Sequence, residues 1–133
     1  LLEARQAGKQ QITLAQRTTM SIFFCTLSDT HAVQLPPVAA WPPRMIFVAY
    51  SDGTSRMVLA MDAANQPAPG GTLLCDGLVI HRRLVLGGPV RNALGLAAGD
   101  EMSWLLVNEG WLVDSRESFD QQVLLAMNAP FGE

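Results

Sequence analysis

Apolar positions in this chain come in short runs broken by turn-forming residues. Residues 21–27 and 32–35 read as strands separated by Ser28-Asp29-Thr30. Prolines 36, 37, 42 and 43 cannot donate to a ladder, so the segment they punctuate is an extended crossover. Residues 44–50 and 55–61 flank Ser51-Asp52-Gly53-Thr54, a hairpin signal because glycine supplies positive φ in a tight turn. Residues 62–71, rich in Pro and Gly, form a linker. Two more runs, 73–75 and 78–80, lie around Asp76-Gly77, which predicts a hairpin or a bulge. A third hairpin is predicted where 101–107 and 111–114 flank Asn108-Glu109-Gly110. The period then changes. Phe119, Val123 and Met127 recur every four residues, behind a capping box at Asp114-Ser115-Arg116-Glu117, and predict a helix over 115–127 that stops at Asn128 and Pro130. The fold class is mainly β: a small barrel with a short helix and a C-terminal α-helix.

Composition sharpens this picture. With 133 residues, 49% apolar and 16% charged, the chain suits one domain with a packed core. Its apolar runs are too short to span a bilayer, so no membrane partner is expected. Residues 1–20 differ, with scattered apolar positions among Gln, Thr and Arg, and read as a flexible lead-in or a cloning remnant; Met20-Ser21 would make a natural start. The organisation is then 1–20 lead-in, 21–71 first β-rich half, 72–114 second half, and 115–133 helix and tail. Cys25 and Cys75 are too few for a disulfide framework and read as small apolar core residues in a reducing, cytoplasmic compartment.

Net charge is −3, yet the charge is unevenly placed. From Asp100 onward seven acidic residues face a single basic one, Arg116. Arg82, Arg83 and Arg91 instead put three of the nine cationic residues within a ten-residue window. A compact positive face of this kind can grip a phosphate backbone.

The stretch from Arg82 to Asp100 is a short strand, a glycine break at Gly87-Gly88, a short helix begun by Pro89, a second break at Gly95, and a Gly99-Asp100 turn. Residues 82–114 resemble the AbrB/MazE/SpoVT swapped-hairpin domain. The resemblance rests on Arg83, Leu84, Leu86, Val90, Arg91, Leu94, Gly95, Leu96, Gly99 and Asp100 in unbroken register. Arg82 departs from it by standing where the family has glycine, and Gly87 by replacing proline. The resemblance implies a barrel interleaved from two copies of the motif, either in a homodimer or by internal duplication of the MraZ type. Ala32-Val33-Gln34-Leu35-Pro36 lies 51 residues before Arg83-Leu84-Val85-Leu86-Gly87. That echo is either a degenerate first copy or what alternating strands produce by themselves.

Family members are DNA-binding transcription regulators, some of them antitoxins that repress their own operon. The resemblance therefore implies double-stranded DNA as partner, contacted by Arg82, Arg83 and Arg91; beside them, His81 adjoining the arginine pair and the Gly87-Gly88 amides ahead of the helix can add phosphate contacts. Each has a plainer alternative: Arg83 and Arg91 can brace a turn through Asp100 or a carbonyl, the glycines can be a tight connection, and His81 an ordinary strand end. Phe119, Val123 and Met127 pack on their own barrel or form a dimer or partner interface. Trp41, Trp104 and Trp111 are expected in the core. A different class competes: an assembly module using the same barrel without DNA. Enzyme chemistry is not expected, nor a cofactor or metal; with only two histidines the chain lacks ligand spacing, and no phosphate-binding or nucleophile motif is present.

Overall fold

The computed structural model describes residues 21–37, 40–51 and 55–128. The lead-in and the turn residues Asp52-Gly53-Thr54 lie outside them. Eight strands and two helices are described: β1 (Ile22–Thr26), β2 (Ala32–Gln34), β3 (Arg44–Ser51), β4 (Arg56–Asp62), β5 (Thr72–Ile80), β6 (Arg83–Val85), α1 (Gly88–Leu94), β7 (Glu101–Val107), β8 (Gly110–Ser115) and α2 (Arg116–Asn128). All strand pairs are antiparallel, and the strands run in the order β1-β7-β8-β4-β3-β5-β6-β2. The sheet curls into a nearly closed barrel, bringing its end strands β1 and β2 together through the turn between them. No described helix is long and apolar enough to cross a membrane.

The two halves of the chain exchange strands. Hairpins β3–β4 and β7–β8 are local, but β1 of the first half pairs with β7 of the second, and β5 of the second pairs with β3 of the first. Replacing β1–β4 by β5–β8, and the reverse, leaves the circuit of neighbours unchanged. Two seams lie on this pseudo-twofold. Across β2–β6, Val33 faces Leu84; across β4–β8, Leu59 faces Leu112. Loop hydrogen bonds repeat in the same way: Leu35 N–H donates to Arg82 O and Leu86 N–H to His31 O, while Leu27 N–H donates to Asp100 O and Val79 N–H to Pro43 O.

The exchange has an energetic reason. A few short strands cannot enclose a core alone, so each half closes the other's. Met45, Phe47, Leu35 and Val33 from the first half bury with Met102, Trp104, Leu86 and Leu84 from the second. Trp104 and Trp111 are core residues as expected, and half-buried Trp41 stacks on Trp111 with ring centroids 5.2 Å apart.

Local features follow the sequence closely around α1. Pro89 opens the helix, where no backbone donor is needed, and Gly95 ends it in the left-handed conformation at φ +66°. Two expectations need correction. Asp76-Gly77 is neither hairpin nor bulge, because β5 runs straight through and pairs both residues with β3. The register shift instead falls at Leu74, opposite Phe47 and Val48. Gly77 is there for close approach: a Cβ would press on the Leu84 side chain and stand 3.2 Å from Val85 O. The capping box is also incomplete. Ser115 Oγ accepts the Ser118 N–H at 3.1 Å, while Arg116 turns to Asp120 one helical turn on.

Candidate functional site

The arginine cluster is built around a strained turn. His81 and Arg82 join β5 to β6 and both have positive φ, +52° and +61°. A two-residue turn with both positions left-handed matches strand twist, and normally takes Asn-Gly. Bulkier residues there cost about 1–2 kcal/mol each, so the resemblance's glycine position is occupied by an arginine that adopts glycine's conformation. His31, ahead of β2 in the first half, does the same at φ +63°. Arg82 is held by Leu35 twice: its carbonyl accepts the Leu35 N–H at 2.6 Å, and its guanidinium Nη1 donates to Leu35 O at 2.8 Å.

Arg83 opens β6 with its side chain on the outer face, where Nη2 donates to Thr30 Oγ1 at 2.8 Å. Arg91 is half-buried in α1 and donates from Nε to Leu86 O at 3.1 Å. That is the turn-bracing role, made through a carbonyl. Asp100 is occupied elsewhere, accepting the Ala97 N–H at 2.9 Å. Among the described residues, then, all three guanidinium groups donate to neutral oxygens and none is matched by a carboxylate. Leu35 and Leu86 lie at opposite ends of the β2–β6 seam. The charges are therefore spread along that seam rather than gathered at a point.

His81 is exposed, and its carbonyl accepts the Gln34 amide at 3.2 Å. Gly87 precedes α1 in extended conformation; a Cβ there would stand 3.0 Å from Cys75 Sγ, so packing accounts for this glycine. Gly88 lies beneath the Arg91 guanidinium, whose Nη2 would be 3.7 Å from an added Cβ. The Gly-Gly pair is thus part of a tight connection that Arg91 covers.

Sequence reasoning missed the surface beside these arginines. Leu78, Ile80 and Val85 are 61%, 59% and 54% exposed, and with Gln34, His81 and Arg83 they line a concavity of about 740 Å³. One signal was available: Leu78-Val79-Ile80 is apolar without alternation, whereas a strand with one wet face should alternate. Nearby, the exposed Arg44 and Asp76 side chains form an ion pair across β3 and β5.

The C-terminal helix divides into two parts. Phe119 is half-buried and meets Phe24 edge-on at 5.6 Å, while the Arg116 guanidinium stacks 3.9 Å above the Phe24 ring. Beyond them Val123, Leu124, Leu125 and Met127 are exposed, the last two at 71% and 70%. Of the three predicted interface residues, Phe119 packs on its own barrel, Val123 lines a cavity against it at 41% exposure, and Met127 remains largely uncovered.

The cysteines are free and half-buried. Burial pushes the Cys25 thiol up to about 12; the Trp104 indole beside it works the other way, and Glu101 adds to the rise. A thiol so disposed stays protonated at neutral pH and is no nucleophile. No grouping of three or more metal-ligating side chains occurs among the described residues. No family model, curated protein or solved structure matches this chain.

Proposed function

We propose that this protein is a DNA-binding transcription regulator of the AbrB-like, duplicated type, gripping double-stranded DNA along the β2–β6 seam. The observation that carries this reading is the set of three guanidinium groups that, among the described residues, are matched only by neutral oxygens. Their charge is left for a polyanion, and their hydrogen bonds fix where it is presented. The exchange of strands between halves is what the resemblance implies, and it supports the same reading. Phosphates supply the affinity in such a complex, with Arg82 and Arg83 on the outer face in the lead roles. The basic groups sit in the second half alone: Arg82 and Arg83 correspond to His31 and Ala32 in the first. One chain therefore offers one basic face, and a palindromic operator takes two chains.

The test is a salt titration of binding to duplex DNA by the native protein and by a double variant, Arg82→Gly with Arg83→Ala. Glycine removes one guanidinium while relieving the left-handed backbone. Phosphate contacts by Arg82 and Arg83 contribute roughly −2 to the slope of log K against log salt, and the variant should lose that contribution, with weaker binding at every salt concentration. Unchanged affinity and slope would overturn the reading. A second reading, an assembly module that binds protein through the same barrel, is favoured by exposed Leu78, Ile80 and Val85, since apolar side chains add little to a phosphate grip.

A further inference from the structure

The second half of the barrel carries an apolar patch that the first half does without. Under the exchange of halves, Leu78 corresponds to Thr26, Ile80 to Ser28 and Val85 to Gln34. All six positions are exposed. Polar side chains serve the barrel at three of them, so nothing in the fold requires large apolar ones at the others. Adjoining β5 and β6 nevertheless present Leu78, Ile80 and Val85 to solvent in one concavity, rimmed by His81 and Arg83. Contiguous exposed apolar surface with a polar rim marks a surface that is covered by something.

The same chain displays the complement. The last turns of α2 expose Leu124, Leu125 and Met127, and its first turn exposes Glu117, while Asp120 is already paired with Arg116. Patch and helix thus pair apolar with apolar and basic with acidic. We propose that α2 of one copy docks into the β5–β6 concavity of a second copy of this chain. Leu124, Leu125 and Met127 cover Leu78, Ile80 and Val85, and Glu117 faces Arg82 and Arg83. Within its own chain α2 is anchored at its start by Phe119 and Arg116 on Phe24, which leaves its later turns free for the neighbour. The contact is heterologous, since two different surfaces meet. It does not depend on DNA.

Complementation in solution tests it. Leu125→Asp disables the helix, and Ile80→Asp disables the patch; both residues are exposed, so both variants should keep the native circular dichroism spectrum and thermal transition. By sedimentation velocity without DNA, the native protein should associate as concentration rises and less so in high salt. Each variant alone should be monomeric, and an equimolar mixture should regain a dimer, because one intact helix meets one intact patch. A native protein that stays monomeric, self-association in either variant, or a mixture that fails to dimerise would overturn the proposal. Self-association in either variant would mean that like surfaces meet like. Sedimentation is run without DNA, and the salt titration above is read at protein concentrations where sedimentation shows a monomer, so the two readings fail separately.

Discussion

Gly110 begins β8, and its substitution probes the seam between the two halves. Its φ is +155°, and a Cβ built there runs into the Ala60 carbonyl oxygen and lies 3.2 Å from Met61 Cα and Cβ. The obstruction is mostly backbone of β4, which pairs with β8 at Ala60 and Trp111, and it cannot swing aside as a side-chain tip does. Gly110→Ala therefore combines backbone strain of about 1–3 kcal/mol with overpacking of about 1–3 kcal/mol. Gly95→Ala is the control. Gly95 also has positive φ, +66°, but nothing lies within 4 Å of an added Cβ, so only about 1–2 kcal/mol of left-handed strain applies. Urea unfolding should place Gly110→Ala about 1–3 kcal/mol below Gly95→Ala, as a lower midpoint with an unchanged m-value. Each half depends on the other's strands, so both variants should still unfold in a single transition. If Gly110→Ala proves as mild as Gly95→Ala, the packing of the β4–β8 seam described above is wrong.

Two further outcomes concern the thiol and the helix. The Cys25 thiol titrates near 9.0 when unfolded and at about 12 in the folded protein. The folded state thus holds its proton longer, and stability falls as pH rises from about 9 toward 12, by at most about 1.4 kcal/mol per pH unit. Urea melts from pH 8 to 10.5 should show this decline in the native protein and a shallower one in Cys25→Ala; parallel curves would refute the assignment. Phe119→Ala removes the edge-on contact with Phe24 and should cost about 1 kcal/mol. Amide exchange should accelerate in α2 while β7 and β8 keep their protection; equal protection in α2 would show that the contact does not hold the helix.

Local order was written plainly in the chain. Pro89 and Gly95 marked both ends of α1, and turn residues marked the β3–β4 and β7–β8 hairpins, because these elements depend on φ preferences within a few residues. Asp76-Gly77 misled for a related reason. Glycine has two uses, turning a chain and letting another element approach, and only the position of Leu84 distinguishes them. The arginines were also legible as a cluster, but not their partners. Whether Arg91 faces Asp100, a phosphate or Leu86 O depends on how α1 lies on the end of β6.

Sequence by itself determined where most strands start and stop, the unbroken β5 excepted, and where positive charge concentrates, since backbone preference and side-chain periodicity act over a single turn or strand. Tertiary structure alone decided that β1 belongs with β7 and β5 with β3, because the binary pattern of a strand names a buried face but not the neighbour across the ladder. It also decided that Leu78, Ile80 and Val85 stay in solvent while equally apolar Leu84 and Leu86 do not. Burial is a property of what lies opposite a side chain, and in a barrel closed by exchanged strands what lies opposite comes from the other half of the chain.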